Sequence, residues 1–163
     1  DLVLLEDQDR SLWDAAKIEE GLALVERALI QRKLGPYQVQ AAIAAVHAQA
    51  KTPEETDWPQ IVVLYDVLAR LVWSPIIELN RAVAVAMAAG PEQGLVLIDQ
   101  PAVHDALKEY RWLHSARADL LRRLARFDEA ADAYREAMAY SGNAMERAFL
   151  ARRLAKVEEQ SST

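Results

Sequence analysis

Cysteine is absent from this 163-residue chain, so it can build neither a disulfide framework nor a thiolate metal site. That absence fits a reducing compartment. Glycine and proline are scarce, at 5 and 6 residues, a balance that favours helix over strand or disorder. An excess of positive charge is missing too. Lys and Arg number 19 against 25 Asp and Glu, for a net charge of −6, which disfavours a generic nucleic-acid binder needing a basic face. No apolar run approaches the ~20 residues of a membrane span, and no basic-then-apolar leader opens the chain. What is present is an Ala- and Leu-rich sequence that is 52% hydrophobic. By length it is one domain, able to bury roughly 70% of its unfolded surface.

Rhythm is the strongest positive feature. Tyr65, Asp99 and Tyr134 stand 34 and then 35 residues apart, and Gly90 and Ala125, each opening a tight turn, are 35 apart. A period near 34 with Ala and Tyr at helix-packing offsets marks a tetratricopeptide-like array of antiparallel helical hairpins. Ala118, Ala130, Tyr134 and Ala137 occupy the small and aromatic slots that let two helices approach closely. One repeat earlier, Val83, Leu95 and Asp99 stand in those slots, so that repeat reads as degenerate. The expectation is all-α, with about eight or nine helices in a right-handed superhelix.

Pro, Gly and capping residues divide the chain into helical lengths. Ser11 and Asp14 have capping-box spacing ahead of a helix over 11–33, with Ile18, Leu22, Val25 and Leu29 as its apolar stripe. Further helices are expected over 36–50, over 57–72 with Asp57 as N-cap, and from Ser74-Pro75 to 89. Others follow over 91–99, 111–124, 127–140 and 143–157, the last capped by Asn143 with Glu146 and striped by Leu150, Leu154 and Val157. The stretch 100–110 has the least regular pattern, and the polar tail 158–163 is expected to fray.

Signatures of catalysis fail one by one. His47, His104 and His114 have no ligand spacing, and no phosphate-cradling loop, nucleophile elbow or dinucleotide fingerprint occurs. Asp7 to Ser11 imitates the start of a calcium loop, but Leu12 and Ile18 stand where its Gly and bidentate Glu belong. Adjacent carboxylates such as Glu19-Glu20 and Glu54-Glu55 point apart on a helix and read as solvated charge. No enzyme activity, metal or cofactor is therefore expected. His47, in an Ala-rich helix, reads as a packing histidine, and Trp13, Trp58, Trp73 and Trp112 as residues closing the core near helix ends.

Polar residues in apolar company supply the candidates for contact. Arg117 falls on the stripe Leu113, Leu120, Leu124. Either its stem packs inward while the guanidinium pairs with an acid, or it serves a ligand. Asn80 and Arg81 interrupt an apolar helix, and Asn80, Trp112, Asp119, Arg122 and Arg123 take positions expected to face the concave groove. Ordinary surface placement is the alternative for each. Arg122, Arg123 and Arg126 on one long face could dock an acidic surface.

Several strings resemble a known family. They are Leu2-Val3-Leu4-Leu5-Glu6-Asp7-Gln8-Asp9-Arg10 with Trp13-Asp14, Gln40 to Ala48, and Thr56-Asp57-Trp58 with Leu64-Tyr65-Asp66. Ser74-Pro75 with Leu79-Asn80-Arg81-Ala82-Val83-Ala84, and Arg117 to Leu124, complete the set. Together, in order and across essentially the whole chain, they resemble the C-terminal tetratricopeptide-like extension of extracytoplasmic-function (ECF) RNA polymerase sigma factors. The resemblance implies promoter-binding sigma domains ahead of Asp1, with 1–10 as the link from them, its leucines docking on the first helices, and 11–157 as the helical domain. It implies a cytoplasmic, regulatory role without direct DNA or membrane binding. The implied partners are the sigma regions of the same protein and the polymerase core, or a regulatory protein. Residues Asn80, Arg81, Trp112, Arg117, Asp119, Arg122 and Arg123 are the candidate contact surface. A free-standing adaptor that captures a peptide in the groove is the alternative.

Overall fold

The computed structural model describes residues 8–30 and 35–161, and among these residues nine α-helices and two short 3-10 turns make up the secondary structure. The helices are α1 (Ala15–Ile30), α2 (Pro36–Gln49), α3 (Trp58–Leu71), α4 (Pro75–Ala89) and α5 (Pro91–Ile98), then α6 (Pro101–His104), α7 (Arg111–Arg123), α8 (Phe127–Ala139) and α9 (Ala144–Ser161). No strand occurs among the described residues. Each long helix packs on the next along the chain, with α5 bridging to α7 across the short α6. The result is the expected all-α array of antiparallel hairpins.

Local chemistry sets the boundaries. Pro opens α2, α4, α5 and α6, where its missing N–H costs nothing. The Asp57 carboxylate accepts from the Gln60 N–H at 3.0 Å, and Asn143 accepts from the Glu146 N–H at 2.8 Å, as expected of both caps. Gly90 (φ 109°) and Ala125 (φ 57°) turn the chain between α4 and α5 and between α7 and α8. These two repeat-related residues are the positive-φ positions among the described residues.

The first helix differs from expectation. Residues 10–12 form a 3-10 turn capped by Asp9, whose carboxylate accepts from both the N–H and the hydroxyl of Ser11. Asp14 then accepts from the Lys17 N–H at 3.1 Å and starts α1. Ser11 is therefore occupied locally, and the capping box with Asp14 does not form. The side chains of Leu22, Val25 and Leu29, and the leucines of 2–5, lie outside the described residues. At the other end the tail expected to fray is helix as far as Ser161, held by Arg135 Nη2 to Glu158 at 2.6 Å and by the Ser161 hydroxyl donating to Asp128.

Two apolar cores run through the array and meet at α4. Val39, Ile43, Val46, Ile61, Leu68 and Ala84 fill the first, between α2, α3 and α4. The second joins α4 to α9 around Leu79, Ile98, Leu113, Leu121, Tyr134 and Val157. Burying each such aliphatic side chain contributes about 1.5–3 kcal/mol. The segment 100–110, which holds the short α6, belongs to this core through Val103 and Leu107. It is also tied by His114, whose Nε2 lies 2.7 Å from the Lys108 carbonyl and whose Nδ1 lies 2.7 Å from a Glu136 carboxylate oxygen.

Arg10 and His47 fasten the first elements together. Arg10 Nη1 donates to the carbonyls of His47 and Ala50, both at 2.8 Å, and Nη2 donates to the Thr56 hydroxyl at 3.1 Å. A guanidinium thus satisfies carbonyls at the C-terminal end of α2, where the helix dipole is negative. His47 packs edge-on against Trp58 at 5.2 Å, as a packing histidine would. Burial pushes its pKa below the ordinary 6.5, and the nearby Arg10 charge adds to that. Because protons then bind the unfolded chain more readily, the stability at stake is complete above pH 6.5 and is lost as pH falls toward the folded-state value. Urea unfolding at pH 7.5 and pH 5 is expected to show a larger drop in midpoint for the wild type than for His47→Gln. Equal drops in both proteins count against this assignment.

Candidate concave groove

Superposing helix starts puts the repeat at 36 residues between α4 and α7, one more than the sequence spacing suggests. On that register Ala82 matches Ala118, Gly94 matches Ala130 and Ile98 matches Tyr134, and all six are buried. The slots assigned to Val83, Leu95 and Asp99 therefore belong to Ala82, Gly94 and Ile98. Gly94 is needed because a Cβ there would stand 2.4 Å from the Ala86 Cβ and 2.7 Å from the Ala82 carbonyl oxygen. The hairpin that reads as degenerate is therefore a close helix contact.

The same register organises a groove of about 450 Å³. From α4 it takes Ile76, Leu79, Asn80 and Val83; from α7 it takes Trp112, Ser115, Ala116 and Asp119. Each of these pairs is 36 apart, so equivalent faces of successive helices line one surface. Tyr110, Tyr134 of α8, and Phe149 and Arg153 of α9 complete the wall. A second hollow of about 280 Å³ shares Ile76 and Asn80 and continues to Gln40, Ile43 and Ala44 of α2. Asn80 stands where the two meet. Tyr37, Ile76, Trp112 and Met145 are each the second residue of α2, α4, α7 and α9, and all four are exposed. Of these, Ile76 and Trp112 line the larger hollow.

Charge in the groove is partly neutralised from within. Asp119 accepts from Arg122 Nη2 at 2.6 Å. Burial raises the Tyr134 phenol above its usual range, and the Asp119 charge pushes the same way. Arg153 lies over the Phe149 ring at 5.4 Å and makes no ion pair among the described residues. Arg111 lies over the Trp112 ring at 4.8 Å and holds it at the groove mouth.

Of the seven residues singled out in the sequence, the structure brings Asn80, Trp112 and Asp119 together in the groove, with Arg122 supporting Asp119. Arg81, Arg117 and Arg123 are elsewhere. Arg81 Nε donates to Asp66 at 2.6 Å and Arg117 Nε donates to Asp99 at 2.7 Å. The arginines are 36 apart and the aspartates 33 apart, so each pair joins one hairpin to the preceding one at an equivalent place. Arg135 of α8 fills the aspartate slot with reversed charge and pairs with Glu158 of α9. Arg123 is exposed and reaches Met87 Sδ at 3.4 Å. Sequence reasoning missed Phe149 and Arg153. They form an i, i+4 pair beside the α9 stripe and could have been found as a second polar-aromatic face.

These features define an all-α helical-hairpin protein with a lined concave surface. Among the described residues no cluster of His, Cys, Asp and Glu is suited to a metal, and no helix is long and apolar enough to cross a membrane. The chain is 44% identical over 162 residues to an uncharacterized protein of Rhizobium meliloti (strain 1021). That alignment takes in 99% of this chain but only 38% of the relative. No family model and no solved structure matches the chain.

Proposed function

We propose that this chain is the C-terminal regulatory and protein-interaction domain of a bacterial ECF sigma factor, acting in the cytoplasm on transcription initiation. The observation that carries the docking role is the groove itself, lined by equivalent positions of α4 and α7, with Asn80 shared with the second hollow and with Ile76 and Trp112 left exposed in its lining. Exposed apolar side chains of this kind are features of protein-binding surfaces. The strings resembling sigma factor extensions support the transcriptional part. The partners on this reading are the sigma regions of the same protein and the polymerase core, or a regulatory protein. Contact through the domain would bias how the sigma regions engage polymerase.

A sigma-dependent reporter in cells carrying the full-length protein tests this. Asn80→Ala and Arg122→Glu are each expected to change output by at least about fivefold, the scale of an ordinary coupling between sites. Arg123→Glu, outside the groove, is expected to leave it unchanged. Unaltered output from folded Asn80→Ala and Arg122→Glu proteins would remove the proposal.

A further inference from the structure

We infer that Arg10 and His47 form an acid-released clasp, which holds the turn over 9–13 on α2 and α3 and lets it go when the imidazole takes a proton. Both halves of the clasp lie in one place. Arg10 Nη1 donates to the His47 and Ala50 carbonyls and Nη2 to the buried Thr56, so one guanidinium joins the turn, the end of α2 and the start of α3. One of those acceptors is the carbonyl of the residue whose ring would be charged. His47 Nδ1 and Arg10 Nε are both buried without a hydrogen-bond partner among the described residues, and the His47 ring lies edge-on to Trp58. A proton added at Nδ1 therefore finds no acceptor and enters the field of a fixed cation. A helix C-terminus ordinarily favours an imidazolium, because its free carbonyls and dipole are negative. Here that place is taken, since the Arg10 fork already occupies the carbonyls at this end of α2.

Neighbouring charges do not offset the added one. Besides His47, α2 has no ionisable side chain except the exposed Tyr37. Asp9 accepts from Ser11, Asp14 from the Lys17 N–H, Glu55 from the Lys51 N–H and Asp57 from the Gln60 N–H. Glu54 is exposed, and α1 turns Lys17, Glu19 and Glu20 to solvent. Relief comes from movement: the ring swings to water or Arg10 leaves the carbonyls, and either step frees the turn. The opening is confined to one part of the array. Trp58 packs on the first apolar core, whereas the second runs from α4 to α9 without it. Burial, and after it the Arg10 charge, lowers the His47 pKa from 6.5, so release grows as pH falls below that value, by at most about tenfold per pH unit.

Amide and indole N–H spectra of the 163-residue chain, recorded by NMR at pH 7.5 and pH 5, test this. On acidification the Trp13 and Trp58 indoles and the amides of 9–13 and 50–56 are expected to move to a second, open set of positions. The Trp112 indole and the amides of α7, α8 and α9 should stay where they are. At pH 5 Asp9 and Asp14 remain ionised, because hydrogen bonds from the Ser11 side chain and from the Lys17 N–H lower their carboxyls. Arg10→Ala should show the open set already at pH 7.5, and His47→Gln should stay closed at pH 5. Signals from α7 to α9 report in each variant whether the rest of the array is folded. If Arg10→Ala loses them, the comparison of wild type with His47→Gln decides. Acid opening of His47→Gln to the same extent as the wild type overturns the inference. So does a wild type that stays closed, a folded Arg10→Ala that stays closed at pH 7.5, or loss of both cores in the wild type together.

Discussion

Gly94→Val is expected to destabilise the domain by about 3 kcal/mol or more, among the largest losses available from one side chain. A β-carbon alone would come within 2.4 Å of the Ala86 Cβ, 2.7 Å of the Ala82 carbonyl oxygen and 3.1 Å of the Ala86 Cα. None of these atoms is the free end of a flexible side chain. Helix α5 would have to move away from α4, withdrawing Leu95 and Ile98 from the core they share with Leu79 and Val103. The opposing term is smaller, since replacing glycine inside a helix gains roughly 1 kcal/mol at best. Gly21→Ala in α1 isolates that gain, because no atom of the described residues lies within 4 Å of its added methyl. Urea unfolding should therefore move in opposite directions for Gly94→Val and Gly21→Ala. A neutral Gly94→Val would mean that the close approach of α4 and α5 is wrong.

That contact also shows why the fold was legible while its register was not. Pro, Gly and Asp caps are local signals, and they place most helix starts within a residue or so of those observed. Superposing repeats needs residue types at the buried slots, and the last hairpin has them in Ala118, Ala130 and Tyr134. In the preceding hairpin glycine takes the alanine slot and isoleucine the aromatic one. A shift of one residue then matches almost as well in an Ala- and Leu-rich chain. The observed helix starts and the steric need for Gly94 fix the count at 36.

The groove was legible for the opposite reason. Asn80, Trp112 and Asp119 were selected from helical register, and register is what lines the surface. Arg81 and Arg117 were selected because charge interrupts an apolar face, a signal that an inter-hairpin ion pair produces equally well. One of the two readings open for Arg117 was that pair, and Asp99 supplies its acid. Nothing in local sequence links residues 18 apart in successive hairpins, so the partner could not be named beforehand. The quoted strings gain a structural meaning in the same way. Asp66 and Arg81 come from separate strings and meet at 2.6 Å, while Asp9, Arg10 and Asp14 cap three successive elements.

The second large effect is expected from Arg111→Leu, a loss of about 2–3 kcal/mol together with weaker binding in the groove. Glu146 is only 6% exposed, and its carboxylate collects Arg111 Nε and the Ser141 hydroxyl, both at 2.8 Å. Asn143 adds a longer contact at 3.4 Å and also caps the Glu146 N–H, so the start of α9 is folded around this acid. Without Arg111 a buried carboxylate keeps its hydroxyl donor but loses its counter-charge. The upper end of the usual penalty is not reached because the arginine side chain is 35% exposed and water can enter. Arg126→Ala is the comparison, since Arg126 and Glu129 pair at 2.6 Å but are both nearly half exposed, and their loss should leave stability almost unchanged. The double replacement Arg111→Leu with Glu146→Leu should recover part of the stability, because no lone charge is then buried. Reporter output should not recover with it, because the guanidinium that braces Trp112 at 4.8 Å is still missing. Chemical denaturation and the sigma-dependent reporter on the same three variants separate these outcomes. Equal losses for Arg111→Leu and Arg126→Ala would show that burial of Glu146 contributes nothing to holding α7 against α9.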